Sequence, residues 1–95
     1  MFYLMKTLKI FISGAVQGVF FRQFIKDKAD EIGVKGYVRN LENGTVEVLI
    51  EGEKDNIEEM YKILKKGPPH AQIREINPEE KKWSGEFKEF TIMKF

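Results

Sequence analysis

The spacing of apolar residues between Leu8 and Ile92 switches repeatedly between two periods, and this constrains the fold of the chain more than any other feature. Leu8, Ile10 and Ile12 alternate with Lys9, Phe11 and Ser13, the period of a strand, and the run is read as ending at Gly14. Phe21, Phe24, Ile25, Ala29 and Ile32 then recur at helical spacing, with Gly33 placed to close the helix. Residues 34–39 read as a second strand. Asn43-Gly44 suits a type I′ turn, because both residues tolerate positive φ, and it leads into a third strand. That strand carries Val46, Val48 and Ile50 on one face and Glu47, Leu49 and Glu51 on the other. Gly52 is read as its break and Asp55 as the N-cap of a second helix, whose stripe Ile57, Met60, Tyr61 and Leu64 ends at Gly67-Pro68-Pro69. Residues 71–77 read as a fourth strand in which Ile73 and Ile76 break the alternation and predict a bulge. A polar loop through Trp83-Ser84-Gly85 leads to a last strand with Phe90 and Ile92 inward, and Trp83 itself is assigned to packing.

The order β-α-β-β-α-β plus a terminal strand predicts an α+β, ferredoxin-like sandwich: an antiparallel sheet with two helices on one face. A chain of 95 residues, 42% hydrophobic and 33% charged, has enough to bury for one core and is read as a single domain over 1–95, with residues 1–6 a short extension. Sixteen basic against fifteen acidic side chains leave a net charge of +1, which gives no case for nucleic acid or an anionic membrane surface. The absence of cysteine excludes disulfides, thiolate nucleophiles and Cys-type zinc sites and fits a reducing cytoplasm. His70, the single histidine, is read as a loop residue and makes a His-based metal site unexpected. Lys6 and Lys9 interrupt the apolar run Phe2-Tyr3-Leu4-Met5, so neither a signal peptide nor a membrane span is expected there.

The topology also selects which residues meet. A helix that carries the chain back across the sheet makes the first and second strands parallel, so their C-terminal ends share one edge. Gly14-Ala15-Val16-Gln17-Gly18-Val19-Phe20-Phe21-Arg22 leaves the first strand there, and Asn40 ends the second. A glycine-bearing loop feeding a helix start aims backbone N–H groups and the positive end of the dipole at one spot, which suits a phosphate or another anion. Arg22 in the first turn opposes that dipole by about 0.3 to 1 kcal/mol unless an anion is present. Alone, each feature has a plainer explanation: a strand-to-helix connection, a solvated arginine, an Asn tolerating a turn.

The joint pattern is more specific. Gly14 to Arg22 closely resembles the first signature of the acylphosphatase family, Gly-x-Val-Gln-Gly-Val-x-Phe-Arg. Gly36-Tyr37-Val38-Arg39-Asn40, followed by Gly44, Val46 and Gly52, resembles its second. Gly67-Pro68-Pro69-His70-Ala71 looks like the family's turn after the second helix, and the resemblance extends from Leu8 to Ile92. It implies hydrolysis of the carboxyl-phosphate bond of a small-molecule acyl phosphate to carboxylate and inorganic phosphate, with water as nucleophile and neither cofactor nor metal. It further implies that Arg22 and the loop amides of Val16, Gln17, Gly18, Val19, Phe20 and Phe21 hold the phosphoryl oxygens, that Gln17 and Gly18 shape the loop, and that Asn40 orients the water. Phe20 stands where many members have a small residue, so its ring is expected to narrow or desolvate the mouth of the cradle. The partners expected are that substrate and its products only, for a monomer without nucleic acid or membrane.

Such a sparse site suits the chemistry. The leaving carboxylate has a conjugate acid of pKa about 4 to 5 and needs no general acid, and a loose transition state asks mainly for charge stabilisation and in-line placement of water. An RNA-binding module of similar architecture is the nearest rival from another class, since Lys35-Gly36-Tyr37 resembles the start of the RRM aromatic motif. That motif belongs on the third strand and continues with aromatics, whereas this segment lies on the second and continues Val38-Arg39-Asn40. Retention of both Arg22 and Asn40 counts against a catalytically silent acylphosphatase-like domain.

Overall fold

The computed structural model describes residues 4–94. They form β1 (Met5–Ala15), α1 (Val19–Ile32), β2 (Lys35–Asn40), β3 (Val46–Glu53), α2 (Lys54–Lys66), β4 (Gln72–Lys81) and β5 (Phe90–Ile92). The strands make one sheet in the order β4-β1-β3-β2-β5. Both β1 and β2 run antiparallel to the β3 between them and hence parallel to each other, while β5 lies parallel to β2 at the rim. This is the ferredoxin-like α+β arrangement, with the terminal strand extending it.

Both helices pack on one face. Phe21, Ile25 and Ala29 from α1 and Ile57, Met60 and Leu64 from α2 meet Ile10, Ile12, Val38, Val48 and Ile50 from the sheet. Gly33 closes α1 in the left-handed region at φ 93°, donating its N–H to the Ala29 carbonyl at 2.8 Å. Among the described residues no helix is long and apolar enough to cross a membrane. Of the residues 1–6 read as an extension, Met1, Phe2 and Tyr3 lie outside the described residues, while Met5 and Lys6 already belong to β1.

Several boundaries differ from the sequence reading, each for a tertiary reason. β1 does not stop at Gly14, because Gly14 and Ala15 pair with Ile73 and Gln72 of β4. Across that pairing Ser13 faces Glu75, so Arg74 is the extra residue of the bulge expected between Ile73 and Ile76. At Gly14, φ is 128° and a Cβ would collide with the Gln72 carbonyl oxygen, so this glycine admits β4 rather than ending β1. β4 itself continues past Pro78 to Lys81, which an edge strand permits because its outward N–H groups need no partner. Asp55 is not the N-cap of α2: that position is Glu53, without a side-chain cap, and the Lys54 N–H instead donates to the Leu4 carbonyl at 2.8 Å. Asp55 lies in the first turn, where its charge complements the dipole.

The face of β3 away from the helices is also buried. Glu47, Leu49 and Glu51 are 4%, 9% and 4% exposed, because the segment between β4 and β5 and the neighbouring side chains cover them. Ser84 donates to the Glu51 carboxylate from its N–H and hydroxyl at 3.1 and 3.0 Å, and the Thr7 hydroxyl does so at 2.7 Å. Glu47 accepts from the Tyr37 hydroxyl at 2.6 Å and from Arg39 at 3.1 and 3.3 Å. Trp83, assigned to packing, is 45% exposed, because it lies outside the helix-covered core against Gly85.

Candidate active site

The parallel course of β1 and β2 puts Ala15 and Asn40 at the same edge of the sheet. From Ala15 the chain passes through Val16-Gln17-Gly18 into α1, and each residue has a distinct task there. Val16 is buried to 1% and pins the loop to the core. Gln17 points outward, and its amide NH2 donates to the carbonyls of Leu41 and Thr45 at 3.0 and 3.2 Å, tying the loop to the β2–β3 hairpin. Gly18 occupies the N-cap position at φ 136°, a conformation that side-chain-bearing residues rarely adopt.

This start leaves α1 open to an anion. The first-turn N–H groups of a helix lack intrahelical acceptors, Gly18 offers no side chain to cap them, and the first turn contains no acidic residue. Arg22, half-buried one turn on, donates from Nε to the Gly18 carbonyl at 3.4 Å, a long and therefore weak bond. Among the described residues it forms no ion pair. Its guanidinium and the helix start add positive charge in the same place.

Asn40, the last residue of β2, pairs through its backbone with Val46. Its side-chain carbonyl oxygen is buried without a hydrogen-bond partner among the described residues. Buried polar atoms are nearly always satisfied, and an orphaned acceptor costs about 1 to 3 kcal/mol. Arg22 and Asn40 line one cleft of about 460 Å³, together with Gln17, Leu41, Glu42 and Lys94. The fold therefore brings together the two residues the sequence singled out. A tetrahedral anion seated at the loop would meet N–H donors and a guanidinium fork, with an amide acceptor at its side.

The remaining loop positions divide. Phe21 is core at 6% exposed, whereas Val19 and Phe20 project outward at 61% and 88%. Gly18, Phe20 and Phe21 border a separate hollow beside Pro68, Pro69 and His70, and of the loop only Gln17 lines both spaces. Lys94 and Glu42 were missed. Lys94 reaches the cleft because the Met93 N–H donates to the Val38 carbonyl at 2.8 Å, carrying the chain beyond β5 alongside Asn40. No sequence signal places β5 next to β2, so only the order of the sheet could have found it. Among the described residues, two cations, Arg22 and Lys94, against one carboxylate, Glu42, leave the cleft lining positive.

The chain is similar along most of its length to known proteins of one family. The sequence profile of the family described as Acylphosphatase matches residues 8–92. A protein of Dehalococcoides mccartyi named acylphosphatase is 44% identical over 89 residues, an overlap of 93% of this chain and 98% of that one. The solved structure of an acylphosphatase from Coxiella burnetii superposes with a TM-score of 0.86 at 36% identity, covering 94% of this chain and 93% of the other. The crystal structure of acylphosphatase from Bacillus subtilis gives 0.87 at 30% identity, with 95% and 99% covered.

Proposed function

Because the chain belongs to the acylphosphatase family, and so is a hydrolase of acid anhydrides that acts on acyl phosphates, we propose the following division of labour. Arg22 and the amides from Val16 to Phe21 hold the non-bridging phosphoryl oxygens, and Asn40 holds the attacking water. The observation that carries this reading is the buried side-chain oxygen of Asn40, without a partner among the described residues, in one cleft with Arg22. A water O–H donating to that oxygen is both satisfied and oriented, with its lone pair free for phosphorus.

The chemistry then needs little else. As the water adds, the bond from phosphorus to the carboxyl oxygen breaks, the bonding pair leaves with the carboxylate, and both protons of the water stay with the inorganic phosphate that is released. That group is stable as an anion at neutral pH, so no acid is required behind it. Charge on the three equatorial oxygens is met by backbone dipoles and the guanidinium, which are fixed before the reaction begins. Water as nucleophile and independence from metal are part of the same proposal. Among the described residues no group of three or more His, Cys, Asp or Glu stands close enough to hold a metal ion. We take the chain to act as a single domain and a monomer in the cytoplasm, a compartment that its lack of cysteine suits.

The test is turnover of acetyl phosphate in excess chelator, with a phosphate monoester as control. The protein hydrolyses the former and leaves the latter nearly untouched, and Asn40→Ala lowers kcat by about 100-fold or more with a modest change in KM. An unchanged kcat in that variant removes Asn40 from the mechanism. Absence of any acyl phosphate turnover in the parent makes this a silent member of the family.

A further inference from the structure

Lys94 stands in the cleft without a role in the reading above, and the packing of β5 explains how it comes to be there. β5 pairs with β2 in parallel register, Ile92 against Val38, and the Met93 N–H then donates to the Val38 carbonyl at 2.8 Å. Two residues beyond that pair, Lys94 and Asn40 therefore leave the sheet at the same level. A second tie comes from α1. Lys26, one turn after Arg22 and so on the same side of the helix, donates from Nζ to the Phe90 carbonyl at 2.9 Å and pairs with Asp30 at 3.1 Å. α1 runs opposite to β2 and hence to β5, so the path from Phe90 to Lys94 leads back towards the start of α1, where Arg22 stands.

The charges that meet at this point decide what the cleft attracts. Among the described residues its lining carries Arg22, Lys94 and Glu42. The guanidinium and the carboxylate alone would cancel, so Lys94 sets the sign. It is exposed, and among the described residues it forms no ion pair that would divert its charge. A space of about 460 Å³ is about 10 Å across, no wider than the screening length in about 0.1 M salt, so an anion anywhere in it lies within the field of the ammonium.

We propose that Lys94 is a second cation of the phosphoryl site, sharing with Arg22 the negative charge of the group held at the loop. The proposal rests on the assignment of Arg22 and Asn40 made above. In-line displacement sets the entering water and the leaving carboxylate on opposite sides of phosphorus, and Lys94 enters beside Asn40, on the side of the water. Its charge therefore acts on the phosphoryl oxygens and not on the acyl group. Bound substrate and released phosphate both carry those oxygens, so Lys94 tightens the two by a similar factor. The two cations differ in kind: Arg22 offers a planar fork for directed hydrogen bonds, whereas Lys94 acts as a point charge on a flexible stem.

The experiment measures the dissociation constant of inorganic phosphate, from its saturable effect on Tm, together with KM for acetyl phosphate. Both are taken at ionic strengths of about 20 mM and about 500 mM, between which the screening length falls from about 20 Å to about 4 Å. At the lower ionic strength Lys94→Gln weakens phosphate binding by about threefold to tenfold, Lys94→Glu by more, and Lys94→Arg stays within about twofold of the parent. KM follows the same order, and at the higher ionic strength the differences shrink below about twofold. Equal constants in the parent, Lys94→Gln and Lys94→Glu at low salt overturn the proposal. So does a loss that Lys94→Arg shares and salt does not diminish, because the lysine then serves by its shape and not by its charge. Arg22→Ala, measured in the same way, separates the two levels. If it binds phosphate as tightly as the parent, the cleft itself is wrongly assigned; if it loses phosphate while the Lys94 series stays flat, the role of Lys94 alone has failed.

Discussion

Gly36 lies where β2 passes closest to β3: its φ is 138°, and a Cβ there would run into the carbonyl oxygen of Leu49. Ala at this position meets both a conformational and a steric penalty, and the obstacle is backbone, which cannot swing aside. We expect Gly36→Ala to cost at least about 2 kcal/mol in urea denaturation, well above the few tenths typical of an exposed substitution. A loss below about 0.5 kcal/mol would mean that the two strands separate at little cost. Gly36 was legible as a motif residue by resemblance alone. Its physical task was not, since nothing local in Lys35-Gly36-Tyr37 says that a neighbouring carbonyl stands in the way of a side chain. Asn40 is the same kind of case: its residue type and its place at a strand end were readable, while the burial of its side-chain oxygen depends on what surrounds that end.

The elements themselves were read well where a pattern is local, and less well where a neighbour decides. Alternation predicted β3 and separated its faces, yet it could not say that Glu47 and Glu51 would be covered, because their cover comes from β2 and from residues far along the chain. That cover makes stability depend on pH. Burial alone would raise the Glu47 carboxyl, but the Tyr37 hydroxyl and the Arg39 guanidinium outweigh it and hold the group below its usual value. Glu51 follows the same rule, burial being outweighed by hydrogen bonds from Thr7 and Ser84. A carboxyl lowered in the folded state contributes stability that is present above its ordinary value of 4.5 and lost as pH falls through the lower folded value. Tyr37 behaves oppositely: burial, then its bond to Glu47, pushes it up to about 12, so its contribution is whole below 10.0 and fades as pH rises towards 12. Urea midpoints should therefore decline below pH 4.5 and again above pH 10, with the acid limb flattened in Glu47→Gln. An acid limb of undiminished slope in that variant would take Glu47 out of the explanation.

At the scale of the molecule, the parallel course of the first two strands was legible, which is how Arg22 and Asn40 were found, while the place of the terminal strand in the sheet was not, which is why Lys94 was missed. Periodicity reports which residues face a core, but only pairing decides that β5 runs parallel to β2 and delivers Lys94 beside Asn40. The proposed site has a whole-molecule signature, because a ligand that binds only the native state stabilises it. Inorganic phosphate at about ten times Kd adds about 1.4 kcal/mol, enough to raise Tm by several degrees in a domain of this size. The parent and Asn40→Ala should both show a saturable rise over sodium chloride at matched ionic strength, and Arg22→Ala should not. Equal protection of the arginine variant would place the anion elsewhere. The rims of the sheet carry a different consequence. A bare strand edge is a template on which other chains add, strand by strand, into fibres. Here β4 faces outward with Glu75, Pro78, Glu79, Glu80 and Lys81, and β5 spans only three residues. A proline that cannot donate, charges that would have to be stacked, and an edge too short to hold a register all work against accretion, so the sheet resists growth at both of its open sides.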